Sequence, residues 1–230
     1  MCLGFYCVFD EPLKGKDDGS TLSCNCRNEW NRRGDYPVIM IVRPSKLNPF
    51  RKGNASVIEF EIRSHYAATR AGVPDGLPIT VIHIGAAQTA VASGAGAEPA
   101  TVMMLAIGSQ KTSSEYFKHN PPKAGELESA IMVVEDEVTR ARTMTACDST
   151  LFTFDAAILE VALNSGVSNS LNLIVSRDAI ERTFDRLAQV TLGSSASHQG
   201  IPVSTAFAAT LLILREFMHH LQFPSINIKT

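Results

Sequence analysis

Three strand signals in immediate succession constrain this chain more than any other feature. Residues 79–84 read Ile-Thr-Val-Ile-His-Ile, residues 89–93 read Thr-Ala-Val-Ala-Ser, and residues 101–107 read Thr-Val-Met-Met-Leu-Ala-Ile. Each is short, apolar or β-branched, and bounded by glycine, proline or small polar residues, as strands joined by tight turns are. Gly85 opens the first turn, and the flexible run Gly-Ala-Gly-Ala-Glu-Pro over 94–99 makes the second. Upstream, Val57 to Ile62 reads as a further strand, and Ser64 to Ala71 as a short helix ended by Gly72 and Pro74.

Beyond residue 107 the period changes from two to that of a helix. Leu127, Ile131, Val134 and Val138 recur at helical spacing behind Pro121 and Pro122. Ile180, Phe184, Leu187 and Val190 repeat the pattern behind Ser176, and Phe207, Leu211, Leu214, Met218 and Leu221 repeat it behind Ser204. Leu171 to Val175 and the closing Ser225 to Thr230 read as strands. Strands first, then helices alternating with strands, is the element order of an α/β domain of the ribonuclease-H-like kind. That unit is doubled in the actin-like and sugar-kinase-like ATPase superfamily, with a mixed sheet flanked by helices. No internal repeat is visible.

The chain divides on this reading into residues 1–36, charged and turn-rich with little expected structure; 37–77, a remnant of a first domain and a linker; and 78–230, the α/β domain. Tyr36 to Val42 is a buried-strand candidate, and Arg43 to Asn54 a connection containing proline, glycine and asparagine. Trp30 reads as a packed aromatic. Four of the five cysteines, Cys2, Cys7, Cys24 and Cys26, fall in the first 26 residues, with Cys147 alone further on. An odd total argues against a closed disulfide framework, and Cys24-x-Cys26 lacks the usual zinc-knuckle spacing. Free thiols and no metal are expected. The net charge of −2 and pI of about 6.3 exclude the basic footprint of a DNA or RNA binder. No apolar run is long enough for a bilayer, and the first 18 residues are too short in their apolar part and too poor in basic residues to read as a signal peptide, so no membrane partner and a cytoplasmic location are expected.

The run from Ile82 to Ile131 resembles one segment of the exopolyphosphatase / guanosine-pentaphosphate phosphohydrolase (Ppx/GppA) family. There a strand ends in Asp-Ile-Gly-Gly-Gly-Ser-Thr-Glu. A second strand, a Leu-Pro-Leu-Gly turn with a basic residue, and a helix led by two prolines follow. Upstream, residues 57–78 resemble the family's strand, Ser-Gly turn, acidic helix and glycine linker. Downstream, Ile174 to Leu187 and Gly200 to Ile228 resemble its closing helices and strand. The resemblance spans about residues 57–228 and implies the ribonuclease-H-like fold with the first domain truncated.

It implies a site as well, and at that site this sequence departs from the family. The family cleaves phosphoanhydrides with carboxylates on the acidic helix and on both sides of the glycine loop, because Mg²⁺ takes oxygen ligands and a base must orient the attacking water. The corresponding positions are Ser64 or His65, His83 and Ala90. Two of the three loop glycines become Ala86 and Ala87, whose methyl groups crowd a backbone that must approach an anion. What survives implies phosphate binding by Gly85, Gln88 and Thr89 in the first loop, Gly108 and Lys111 in the second, and Ser149 and Thr150 in a third. The plainer reading is that these residues form turns that the fold requires.

Other residues carry less. His83 could act as a metal ligand or base in place of aspartate, but no partner acid is visible, and a structural histidine at a strand end is the plainer reading. His219 and His220 end a helix, where imidazolium complements the dipole. Cys147 beside Asp148 reads as a loop or buried thiol. Glu135-Asp136-Glu137 reads as a solvated helix face. The expected function is that of a degenerate exopolyphosphatase-like protein that binds phosphate, polyphosphate or a phosphorylated nucleotide or acts as a regulator, as a homo-oligomer or with a partner protein. The alternative is an active phosphoanhydride hydrolase using Mg²⁺ and relocated ligands from among Glu59, Glu61, Asp75 and Asp148, completed by oligomerisation. No catalytic residue is assigned, and Mg²⁺ is the cofactor only of that alternative.

Overall fold

The three consecutive strands form as read: β1 (Ile79–Ile84), β2 (Thr89–Gly94) and β3 (Thr101–Leu105) make an antiparallel meander. The computed structural model describes residues 52–146, 148–167 and 173–229. The readings on residues 1–51, the cysteines included, lie outside the described residues, as do Cys147 and the start of the strand read from Leu171. Three further strands, β4 (Thr150–Thr153), β5 (Leu173–Ser176) and β6 (Ser225–Ile228), complete a six-stranded sheet in the order β3-β2-β1-β4-β6-β5. β1, β4 and β6 run parallel, and the other pairings are antiparallel. This is the mixed sheet expected.

Among the described residues seven helices accompany it: α1 (Lys52–Arg70), α2 (Ser109–Tyr116), α3 (Ala124–Ala141), α4 (Ala156–Asn164), α5 (Arg177–Thr191), α6 (Ala196–Gln199) and α7 (Thr205–His220). The main core lies between the sheet and α2, α3, α4, α5 and α7. The alternation of β1 shows why both faces need covering: Ile82 and Ile84 point into this core, while Ile79 and Val81 point to the other face, under α1. α7 is the central helix. Its residues Phe207 to Leu214, with Phe217 and Met218, are buried almost all round, so the apolar run read from Ala206 to Leu214 is an interior helix. Among the described residues no helix is long and apolar enough to cross a membrane. The Ser176 and Ser204 hydroxyls cap α5 and α7, accepting from the Ala179 and Phe207 amides at 3.2 Å each, as their positions before the periodic runs require.

The reading of Val57 to Ile62 as a strand is corrected: these residues belong to α1, a helix that also takes up residues 52–54 of the expected connection. Apolar and acidic residues alternate over 57–62 as in a half-buried strand, but the spacing that decides burial is Ile58, Ile62, Tyr66. Ile62 and Tyr66 are fully buried against the sheet with Ile58 packed beside them, whereas Val57 and Phe60 face outward. The helix is anchored at its C-terminal end. Arg70 donates to the Ala95 and Leu77 carbonyls at 3.0 and 2.8 Å, and the Tyr66 hydroxyl donates to the Gly96 carbonyl at 3.0 Å. The turn over 94–99 is thereby tied to α1.

Candidate functional site

β1 and β4 are adjacent and parallel, so their C-terminal ends open on the same edge of the sheet, where open α/β sheets place their ligands. Four titratable side chains meet there. His83 ends β1. Asp155 follows β4 by two residues. Glu61 and His65 lie one helical turn apart on α1 and so share the face that covers this edge.

Asp155 is buried and both of its oxygens are engaged. Oδ1 lies 2.5 Å from His83 Nδ1, and Oδ2 accepts from the Ile84 amide at 2.6 Å. The carboxylate therefore keeps a proton on Nδ1 and leaves Nε2 as the working nitrogen of the ring. Nε2 lies 3.9 Å from Glu61 Oε2, and it would stand 3.6 Å from a Cβ placed on Gly85. The ring thus sits against the loop that follows its own strand. The hydrogen bond that His83 donates to Asp155 holds the His83 pKa above the usual imidazole value, opposed by desolvation and helped by the Asp155 and Glu61 charges. His65 differs: its ring stacks on Phe154 at 4.6 Å, its Nδ1 is buried with no hydrogen-bond partner, and burial lowers its pKa. Its ring centroid is 6.1 Å from that of His83.

The loop over 85–88 closes on itself, the Gly85 amide donating to the Gln88 carbonyl at 3.0 Å. Its carbonyls point at the second loop. The Ser109 amide donates to the Gly85 oxygen, and the Gln110 and Lys111 amides to the Ala86 oxygen, at 2.9–3.0 Å. These are the first N–H groups of α2, those that would greet an anion at a helix start, and the first loop consumes them. Gly108 has to be glycine for this docking, because a Cβ there would stand 2.6 Å from the Ala86 oxygen and the Ala87 carbonyl carbon.

The residues named for phosphate binding divide. Gly85, Gln88, Thr89 and Gly108 are gathered at the two docked loops. Thr89 is buried, and its hydroxyl is spent on the Ile107 carbonyl at 2.9 Å. Lys111 turns its ammonium onto the Ala106 carbonyl at 2.6 Å. Ser149 and Thr150 are not at this site: Thr150 pairs with Ile79, at the opposite end of β1 from Gly85, and Ser149 hydrogen-bonds the buried Thr80 hydroxyl at 2.7 Å. The third loop beside the glycine turn is instead the end of β4, over 153–155. At the three positions without the expected carboxylates, His65 and His83 face each other, and Ala90 is fully buried directly across the strand pair from His83.

Asp155 escaped the sequence reading because β4 did. Thr150 to Thr153 is too short to show a period, and with no strand assigned there Asp155 had no reason to stand beside His83. Of the acids considered as substitute ligands, only Glu61 reaches the site. Glu59 pairs with Arg63 at 3.0 Å on exposed surface, Asp75 lies in the turn after α1, and Asp148 precedes β4 at the far end. Mg²⁺ does not fit the residues present. It needs several oxygen ligands, but Asp155 is fully engaged and Ala90 offers a methyl group. Among the described residues no three His, Cys, Asp or Glu side chains converge to hold a metal.

No protein-family model matches the sequence, and no curated protein matches it. Solved structures do. The Ppx/GppA family member of Aquifex aeolicus superposes with a TM-score of 0.62 at 18% identity, over 74% of this chain and 58% of that one. An exopolyphosphatase from Cytophaga hutchinsonii superposes with a TM-score of 0.58 at 14% identity, over 76% and 59%. An exopolyphosphatase-like protein gives 0.54 at 12%, over 74% and 62%. The chain thus spans about 60% of the length of these structures. Sheet order, the paired loops and these superpositions agree that the chain has the ribonuclease-H-like fold of the Ppx/GppA exopolyphosphatases.

Proposed function

We propose that this chain is an exopolyphosphatase-like domain that binds phosphate-bearing ligands without hydrolysing them. The observation that carries the reading is Asp155. Among the described residues it is the one buried carboxylate at the loop edge, and both its oxygens are committed, to the His83 ring and to the Ile84 amide. Phosphoanhydride cleavage needs carboxylate oxygens free to hold a cation and to orient water. Here the positions across the strand pair carry imidazole and methyl, and among the described residues Glu61 is the single uncommitted acid at the site. Polyphosphate or a phosphorylated nucleotide is the ligand class that the fold's relatives suggest. A partner protein or a second copy is the element that would complete the cleft.

The test measures phosphate release from polyphosphate and from guanosine pentaphosphate with Mg²⁺, beside the thermal shift each ligand produces. No chelator-sensitive release with a rise in melting temperature is expected. Chelator-sensitive turnover would overturn the reading in favour of an active hydrolase. The 3.9 Å approach of Glu61 to His83 is the one feature that favours that alternative, and Glu61→Gln would then abolish the turnover.

A further inference from the structure

We infer that the cleft between the end of α4 and the outer flank of α5 is a binding site for a small zwitterion of amino-acid type, whose carboxylate pairs with Arg182 and whose ammonium pairs with Asp185. The cleft shares no residue with the loop edge. The inference goes beyond the function proposed above and does not depend on it.

The cleft has a volume of about 460 Å³, within the range of small-ligand sites. Asn164, Ser165 and Gly166 form one wall and Arg182, Asp185 and Arg186 the other, over a buried floor of Ala179 and Thr183. Polar bonds hold the walls in place. Arg186 donates to the Asn164 carbonyl at the end of α4, to the Gln199 carbonyl at the end of α6 at 3.1 Å and to the Thr183 hydroxyl at 3.2 Å. The Thr183 hydroxyl in turn lies 2.9 Å from that of Ser165, which ties α5 to α4. Gly166, at a φ of +85°, turns the chain away as α4 ends, and a Cβ there would meet nothing within 4 Å, so the rim stays open. The cleft is therefore formed before any ligand arrives.

Its free groups set the ligand. Arg186 is spent on the two helix ends. The carbonyls of the last turn of α4 are spent as well: Val161, Ala162 and Leu163 accept from the amides of residues 165–167, and Asn164 accepts from Arg186. A cation thus finds no bare helix end here. Arg182 and Asp185 are exposed, and among the described residues neither side chain makes a hydrogen bond or an ion pair. They stand three residues apart on α5, close enough to pair, as Glu137 and Arg140 do at 2.7 Å on α3. On α5 the two charges stay separate. The Asn164 side-chain amide donates to the Glu160 carbonyl at 2.8 Å and keeps its oxygen as a further acceptor.

This arrangement disfavours a ligand of one charge. A lone anion drawn to Arg182 meets the carboxylate of Asp185, and a lone cation drawn to Asp185 meets Arg182 and the fixed guanidinium of Arg186. A molecule with a carboxylate and an ammonium a few ångströms apart answers both free charges at once, through charge-assisted hydrogen bonds.

The experiment follows the backbone amide resonances of the full chain at about pH 7, where an amino acid carries both charges, during titration with L-norvaline. Pentanoate, which lacks the ammonium, and butylamine, which lacks the carboxylate, are titrated in parallel at equal ionic strength. The expected result is saturable shifts centred on residues 164–166 and 182–186 with L-norvaline in the millimolar range, and binding of either single-charge analogue weaker by about fivefold or more, the scale of one charge-assisted hydrogen bond at a half-open site. Arg182→Ala and Asp185→Asn are each expected to weaken L-norvaline by a similar factor. Both residues are exposed, so both variants should fold, and far-ultraviolet circular dichroism checks this. No saturable shift at these residues with L-norvaline at tens of millimolar would overturn the site. So would binding of pentanoate or butylamine as tight as that of L-norvaline, or L-norvaline binding that either folded variant leaves unchanged.

Discussion

Replacing Asp155 with alanine tests whether this residue is the keystone of the loop edge. The substitution leaves the buried Ile84 amide without an acceptor, which costs about 1–3 kcal/mol, and removes a charge-assisted hydrogen bond to His83, worth about 1.5–3 kcal/mol. The two share one carboxylate and are not additive, so a total of about 3–4 kcal/mol is expected. For a unit of this size that lowers the melting temperature by roughly 10 °C. The loss also depends on pH, with a definite sign. The folded-state pKa of His83 is raised. The stabilisation its proton supplies is therefore complete below the unfolded value of about 6.5 and disappears as pH rises through the higher folded value. The alanine variant lacks this contribution, so urea unfolding should give a larger difference from wild type at about pH 5.5 than at about pH 8.5. Equal differences at the two pH values would refute the ion pair. A difference below about 0.5 kcal/mol at both, the scale of an ordinary surface substitution, would refute the buried role of Asp155 altogether.

Gly108→Ala should destabilise the protein by about 1–3 kcal/mol and broaden the amide resonances of residues 85–88, because the new methyl meets backbone atoms of the first loop at 2.6 Å and neither loop can retreat alone. Ser149→Ala should cost about 1 kcal/mol in urea unfolding through its lost bond to Thr80 and leave tripolyphosphate affinity unchanged, which separates its structural role from the phosphate role its sequence position suggests. Lys111→Ala should alter tripolyphosphate affinity by less than about twofold, since the ammonium is bound to the Ala106 carbonyl and an exposed charge contributes little. Phe217→Ala should cost about 3–5 kcal/mol by calorimetry, because the ring is fully buried in the main core and stacks on Phe223 at 5.7 Å.

Much of the architecture is legible in the residues themselves. The meander of β1 to β3 shows because three apolar runs are separated by turns that only glycine, proline and small residues form easily, and α3, α5 and α7 show because their periods are long. The same local rules failed over 57–62. An apolar–acidic alternation there imitates a strand, and the spacing of Ile58, Ile62 and Tyr66 becomes decisive only when there is a sheet face for them to cover. β4 has four residues and no readable period, yet its position between β1 and β6 orders the whole sheet.

The candidate site divides along the same line. The absence of carboxylates at His83 and Ala90 is a property of the chain and can be read without coordinates. That His83 has an acid partner is not, because Asp155 lies 72 residues away and meets it only through the parallel pairing of β1 with β4. The sequence by itself determined the strand–turn–strand frame, the loop glycines and the residue types at the loop edge. Tertiary structure alone decided which donors are spent and on what: Lys111 on a carbonyl, Ser149 at the far end, the α2 amides inside the docked loops, and His83 Nδ1 on Asp155. The physical reason is that a hydrogen bond is settled by distances of a few tenths of an ångström, and those distances come from packing that joins distant parts of the chain.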